Sequence, residues 1–215
     1  MKAIMLSRKP KECANILNGD QSLIVSKTCA KCDLPIKVYI YCNKEDEILF
    51  GENSPFIKNY INYFASKYYD ENNEEDVTGK LNGKVIAKFT LNKVEKIYGM
   101  YDELSWNYEF KNEEELLRKS CLDNEDLGTY LKICNNNDFQ KVGYAWHINN
   151  LKIFEEPKEL SEFKHLKPSI CGVKDDKGLY QCDKCKYGYS EFMYCECRLS
   201  LTKAPQSWCY VEVEK

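Results

Sequence analysis

The chain has 215 residues, of which 43% are hydrophobic and 16 are tyrosine, so it can bury a core of its own and is not an intrinsically disordered protein. Its formal net charge is -3 and its pI is about 5.6. That acidity excludes a uniformly basic nucleic-acid-binding surface, and any contact with RNA or DNA would need a local basic patch.

The sequence shows no sign of export or of a membrane span. The apolar run Met1–Leu6 is followed by Arg8, Lys9 and Pro10 instead of the small-residue cleavage site of a signal peptide. No stretch approaches the roughly 20 apolar residues of a membrane helix. We therefore expect a cytoplasmic protein with no membrane partner. In that compartment the 12 cysteines favour metal ligation and buried thiols over disulfides.

The first part of the chain predicts a strand, a helix and two further strands. Lys2–Leu6 is an apolar strand, and Pro10 suits the first turn of a helix that Gly19 ends. Residues 22–28 form a second run rich in strand-forming side chains. Lys37–Cys42 alternates cleanly between two sides, which predicts a half-buried strand.

The middle of the chain predicts more strands and three helices. Apolar residues repeat at helical spacing over 55–69, and a strand begins after Gly83. Asn112 and Glu115 resemble a capping box that opens a helix, and a second short helix follows over 127–134.

The last third predicts two strands on either side of a cysteine-rich segment. Residues 144–154 and 207–214 read as strands, and a short helix is expected over 157–163. Short strands with helices between them indicate an α+β barrel. We predict one domain over residues 1–215, with insertions at about 44–82 (helical), 99–140 (helical) and 165–200 (Cys-rich).

The cysteine-rich insertion carries the strongest site signal. A Cys-x-x-Cys turn at Cys182 and Cys185 presents two thiolates at the separation that tetrahedral zinc needs. Two further ligands would come from Cys171, Cys195 and Cys197. Such a short loop buries little else, so a structural zinc ion is the interpretation we favour over free thiols. A closed thiolate shell leaves no open position for catalysis.

A second Cys-x-x-Cys, at Cys29 and Cys32, is a weaker signal. It lies in a loop between two predicted strands, where a reduced loop, a second metal site and a redox pair are all open. The strand-to-helix context of known redox motifs is missing, which favours the reduced loop.

The order of the elements and four local phrases resemble the ASCH family of the PUA-like superfamily, in the small type found in phages and low-GC bacteria. The phrases are the segments 1–7, 16–19, 144–148 and 204–211. The resemblance implies a PUA-like β-pseudobarrel with a cleft beside the first helix. Relatives use such clefts for RNA or modified bases, and branches of the family resemble amidohydrolases of acetylated cytidine or ribonucleases.

The catalytic positions of the family are not retained. After the helix, the family's Lys falls on Gln21, its Glu or Thr on Ile24 and its Arg on Ser26. An amide cannot supply the proton transfer of an amine, and isoleucine has no polar atom. Lys27 lies on the same side as Gln21 but about 20 Å further along. We therefore expect no catalytic residues.

Seven residues are candidates to line a ligand-binding cleft: Gln21, Ser22, Lys27, Trp146, His147, Gln206 and Trp208. Trp146 and Trp208 could stack on bases, and His147 and Gln206 could make polar contacts. The structural alternative is that both tryptophans fill the barrel while His147 points to solvent. Adjacent strand residues such as Trp146 and His147 must face opposite ways.

Three functional hypotheses follow. The first is a non-catalytic ASCH-type module that binds nucleic acid, with RNA or a modified base as the expected ligand, through the barrel cleft and the zinc insertion. The second is a nucleoside amidohydrolase or ribonuclease with a non-standard residue set. The third is a phage-encoded factor that binds a host protein. The net acidity and Gln21 favour the first and third.

Overall fold

The computed structural model describes residues 1–44, 82–101, 106–132, 141–166, 173–174, 180–181, 188–189 and 200–213. The helix predicted over 55–69 and Cys134 lie outside these residues. Within them, no helix is long and apolar enough to cross a membrane.

The described residues form eleven strands and three α-helices in the following order: β1 (Lys2–Arg8), α1 (Pro10–Asn18), β2 (Leu23–Ser26), β3 (Ile36–Cys42), β4 (Val85–Tyr101), β5 (Trp106–Glu109), α2 (Glu113–Ser120), α3 (Asn124–Leu131), β6 (Lys141–Lys158), β7 (Lys164–His165), β8 (Val173–Lys174), β9 (Tyr180–Gln181), β10 (Gly188–Tyr189) and β11 (Trp208–Glu212).

Eight of these strands form one mixed sheet, in the order β2-β6-β4-β3-β1-β11-β7, with β5 paired to β4. Strands β1 and β3 run parallel, and the other pairs are antiparallel. Strands β8, β9 and β10 form a separate small sheet. The predicted α+β class is confirmed.

Helix α1 begins and ends where the sequence predicts. Pro10 occupies the first turn, and Glu12 accepts a hydrogen bond from the backbone N–H of Lys9 at 3.2 Å. Gly19 ends the helix with φ of 82°, a left-handed conformation that costs glycine little. The buried side chains Cys13 and Ile16 place the apolar face of α1 against the main core.

The main sheet curls on itself. Strands β6 and β11 are separated by three other strands, so in a flat sheet they would lie about 19 Å apart, four spacings of about 4.8 Å. The rings of Trp146 in β6 and Trp208 in β11 are nevertheless 5.5 Å apart. The indole N–H of Trp208 also donates to the hydroxyl of Thr28, just after β2, at 2.9 Å. These contacts bring the two ends of the sheet together.

A second core covers the opposite face of the sheet. Leu160 and Phe163 pack there against Tyr39 and Tyr41 of β3, and the rings of Tyr39 and Phe163 are 4.9 Å apart. The prediction that β3 is half-buried is therefore wrong, because both of its faces are covered. The helix expected over 157–163 is a single 3-10 turn, Leu160–Glu162, that follows β6.

The short helices α2 and α3 form a third core on the outside of β2. Their residues Leu116, Leu127 and Leu131 pack with Leu23 and Val25. The predicted cap of α2 is confirmed, since the side-chain oxygen of Asn112 accepts from the N–H of Glu115 at 3.0 Å. These helices form one wall of a recess beside α1.

The ends of the predicted insertions are continuous with the sheet. Strand β4 extends through residues 99–101 and pairs with β5, so the helices occupy only the later part of the 99–140 range. His165 pairs with Val211, and Ser200 forms a bridge with Lys164. The main sheet thus holds both ends of the cysteine-rich segment.

Candidate functional site

A cavity of about 150 Å³ lies where α1, β2 and the helices α2 and α3 meet. Helix α1 contributes Lys11, Glu12 and Asn15, and β1 and β2 with their connection contribute Arg8, Gln21 and Val25. The opposite wall is formed by residues 120–122, Asp126 and Tyr130. This recess, here called the α1 cavity, lies beside the first helix.

Arg8 is the most unusual residue in the α1 cavity. It ends β1 and retains only 6% of its accessible surface. Its guanidinium makes two long contacts of 3.4 Å, from Nη1 to Glu12 Oε1 and from Nη2 to the carbonyl oxygen of Val25. Its Nε is buried without a hydrogen-bond partner among the described residues. Because an unsatisfied buried donor is costly, the guanidinium as a whole is short of acceptors, and an acceptor that enters the cavity can supply one.

Gln21 also faces the α1 cavity and is 6% exposed. Its side-chain amide nitrogen donates to the carbonyl oxygen of Leu23 at 3.0 Å, and its backbone N–H bonds to Asn15 at 3.0 Å. The amide is therefore fixed against the start of β2. Neighbouring Ser22 donates its backbone N–H to Lys119 and accepts from Ile148, which ties α2 and β6 to this edge.

The rim of the α1 cavity is formed by an aromatic ring, Tyr130, and a lysine ammonium group, Lys27. Tyr130 on α3 lines the cavity, and the Nζ of Lys27 lies 4.8 Å from the centre of its ring. Lys27 is exposed. This pair offers a surface on which a base can stack, beside a charge that attracts phosphate.

The predicted tryptophan contribution to the cleft requires a correction. Trp146 is fully buried in the main core and is not among the residues that line the α1 cavity. Trp208 is half-buried beside it, and Gln206 is exposed, and neither lines the cavity. The reason is the curl of the sheet, which packs the two indoles against each other.

His147 lies on the opposite face of β6 from Trp146, as strand alternation requires. Its Nε2 is 2.5 Å from Glu95 Oε2, and Lys93 Nζ lies 2.9 Å from the other oxygen of that carboxylate. The hydrogen bond from Lys93, together with that from His147, holds the pKa of Glu95 below its usual range. His147 is thus a hydrogen-bond partner of Glu95 on the sheet surface, not a cavity residue.

The five cysteines predicted to bind zinc, Cys171, Cys182, Cys185, Cys195 and Cys197, lie outside the described residues. Among the residues that are described, no three histidine, cysteine, aspartate or glutamate side chains come together as a metal site. Cys13 and Cys42 are buried free thiols in the main core.

The sequence did not identify Arg8, Asn15, Asp126 or Tyr130 as residues of the site. Arg8 follows an apolar strand and precedes a proline-started helix, so its position at a strand–helix junction was visible. Its burial was not, because the covering wall comes from helices more than 100 residues away in sequence.

Comparisons with known proteins give structural matches only. No protein-family profile matches the chain, and no curated protein matches it. The structure is similar to that of ASCH from Zymomonas mobilis, with a TM-score of 0.42 and 11% identity over 74% of this chain and 73% of that one. A mutant of the same protein gives a TM-score of 0.41 and 10% identity over 74% and 77%.

Proposed function

We propose that this protein is a non-catalytic ASCH-type module that binds RNA by taking one base into the α1 cavity. The observation that carries the proposal is the buried guanidinium of Arg8, which lines the cavity and is short of acceptors, because its two hydrogen bonds are 3.4 Å long and its Nε has no partner among the described residues. The cavity of about 150 Å³ is smaller than the roughly 300–1,000 Å³ of pockets for drug-sized ligands. Its size therefore favours a single ring.

The chemistry of the lining favours a base over a bare phosphate. The cations Arg8 and Lys11 are balanced by the carboxylates of Glu12 and Asp126, which would repel an anion. A nucleobase carries donors and acceptors on the same edge, so it can hydrogen-bond both to the cationic and to the carboxylate side chains of the lining. The phosphate of the same nucleotide would remain outside, near Lys27.

The positions of the family's catalytic residues support a binding role. Ile24 is fully buried in the main core, on the opposite face of β2 from Val25, which lines the cavity. Ser26 donates its hydroxyl to the carbonyl oxygen of Thr28 at 2.9 Å. Gln21 is the only one of the three positions that reaches the cavity, and its amide has no acid–base function.

A PUA-like pseudobarrel in one domain is the architecture that fits this proposal, and the Cys-rich insertion would carry a structural zinc. Four of the five cysteines Cys171, Cys182, Cys185, Cys195 and Cys197 would hold the ion. The spacing of the cysteines supports the zinc. We expect about one zinc per chain in the pure protein and loss of zinc in a Cys182→Ser, Cys185→Ser variant; full metal content in that variant would refute the assignment.

RNA binding is tested by fluorescence anisotropy with a labelled single-stranded RNA. Affinity should fall steeply as salt rises, because phosphates are contacted. Lys27→Ala should weaken binding. Lys152→Ala removes an exposed lysine on β6, away from the cavity lining, and is the matched control. Equal affinity for both variants, or a flat response to salt, would contradict the proposal. Hydrolysis of acetylated cytidine or cleavage of the RNA would instead show an enzyme.

A further inference from the structure

We infer that Gln21 is a specificity-determining residue of the α1 cavity, whose side-chain oxygen accepts an N–H from the Watson–Crick edge of a pyrimidine while Arg8 donates to an acceptor on the same edge. This role rests on the proposed function, and it adds which bases enter the cavity. A base that is read on this edge cannot be paired at the same time. The ligand is therefore an unpaired uridine or cytidine of a single strand.

One hydrogen bond fixes the orientation of the Gln21 amide. The side-chain nitrogen lies 3.0 Å from the carbonyl oxygen of Leu23 and donates to it. A carbonyl oxygen only accepts hydrogen bonds, so the nitrogen of the carboxamide, and not its oxygen, must face Leu23. The oxygen Oε1 is the atom that this bond leaves over.

The Oε1 atom of Gln21 is an acceptor without a donor. It receives no hydrogen bond from the residues that the structure describes. It is also not one of the side-chain atoms in that part of the chain that are sealed from solvent without a partner. Because Gln21 as a whole is buried and lines the α1 cavity, the accessible surface of Oε1 faces the cavity. A ligand donor can bind this oxygen without displacing a protein partner.

Arg8 is anchored on the same edge of β2 as Gln21. Carbonyl groups two residues apart in a strand point to the same edge, so those of Leu23 and Val25 share one. The Gln21 nitrogen donates to the first at 3.0 Å, and Arg8 Nη2 donates to the second at 3.4 Å. Two residues of a strand span about 7 Å. The edge of β2 thus holds an acceptor, Gln21 Oε1, beside the donors of a guanidinium.

This pair of groups complements the Watson–Crick edge of a pyrimidine. Uracil carries its ring N–H between two carbonyl oxygens, and cytosine carries an amino group beside a ring nitrogen and a carbonyl oxygen. Each base therefore offers an N–H to the Gln21 oxygen and an acceptor to the Arg8 guanidinium. The cavity of about 150 Å³ favours one ring, and so both pyrimidines over a purine.

Anisotropy with short labelled RNA strands tests this role on the unaltered protein. All nucleotides of a strand are abasic except the central one, which is uridine, cytidine, adenosine or also abasic. We expect at least one pyrimidine strand to bind about tenfold more tightly than the adenosine and abasic strands. Uridine and cytidine compared with each other then identify the better ligand. Methylation that removes the donor, in N3-methyluridine or N4,N4-dimethylcytidine, should abolish the preference, because a site that hydrogen-bonds an N–H rejects an analogue without it.

The substitution Gln21→Met removes the oxygen and keeps the length of the side chain. Affinity for the preferred pyrimidine strand should fall about tenfold, whereas affinity for the abasic strand should stay unchanged. A residue that only supported the fold would weaken the binding of both strands alike. Ser26→Ala is the matched control, because it removes a hydrogen bond to Thr28 from the same strand without altering the cavity lining. It should leave the preference intact.

The possible failures are distinguishable. Equal affinity of the wild-type protein for the pyrimidine and abasic strands would refute base binding itself, and the role of Gln21 with it. A preference for bases that is as strong for adenosine as for the pyrimidines would overturn the role of Gln21 alone. So would a pyrimidine preference that survives both Gln21→Met and methylation of the base.

Discussion

The substitution Arg8→Met tests whether Arg8 binds a ligand or stabilises the fold. The contact with Glu12 is 3.4 Å long and the Glu12 side chain is 37% exposed, so its loss costs about 0–1 kcal/mol. The carbonyl oxygen of Val25 loses a donor at 3.4 Å, which costs about 1 kcal/mol. Removal of the unpartnered buried Nε recovers about 1–3 kcal/mol. We expect the free energy of unfolding to change by between about -1 and about +2 kcal/mol relative to wild type.

Binding should respond very differently. A hydrogen bond from a charged group contributes about 1.5–3 kcal/mol, so Arg8→Met should raise the Kd for RNA roughly ten- to hundredfold. Arg8→Lys keeps the charge without the planar fork and should recover only part of the affinity.

Urea unfolding and RNA anisotropy on the same protein samples measure both quantities. A variant that loses more than about 3 kcal/mol of stability, and binds RNA as tightly as wild type, would refute the reasoning. Arg8 would then be a structural residue.

Three further predictions follow from the same geometry. Tyr130→Ala should weaken RNA binding by about 1–3 kcal/mol through lost stacking while Tyr130→Phe should not, as anisotropy can show. Gln21→Lys should lower stability in urea by at least about 1 kcal/mol, because it adds an unpaired buried charge, and should not produce hydrolysis of acetylated cytidine. The lowered pKa of Glu95 means that its ion pair stabilises the fold at neutral pH and is lost as the pH falls below the ordinary value of 4.5. Glu95→Gln should therefore flatten the pH dependence of urea unfolding in that range.

Local signals in the sequence predicted much of the fold. The Pro10 start and Gly19 end of α1, and the Asn112 cap of α2, depend on neighbours within a few residues. The alternation of β11 is equally local, with Val211 in one core and Trp208 against the other.

What could not be predicted depends on partners distant in sequence. Tyr41 is buried because Leu160 and Phe163, which follow β6 in the chain, pack against it. Val85 faces the second core, whereas Ala87 faces the main core, because the register shifts between them. Strand alternation alone would place Val85 and Ala87 on the same face of β4.

The candidate site also contains residues that the sequence predicted and residues that depend on distant partners. Gln21 was predicted from the family resemblance and does line the α1 cavity. Trp146 was drawn from the same resemblance and is buried, because the curled sheet packs it against Trp208. Arg8 could not be predicted as a site residue, because the helices that cover it are distant in sequence.

The most direct test of base binding in the α1 cavity is protection of Cys121, which lines the cavity and is exposed. Burial of its sulfur raises the pKa of Cys121, so its alkylation will be slow enough to follow by mapping the tryptic peptide 120–132. We predict that saturating single-stranded RNA slows alkylation of Cys121 while that of Cys209, which is outside the cavity lining, is unchanged. An unchanged rate at Cys121 when RNA is bound would contradict the account.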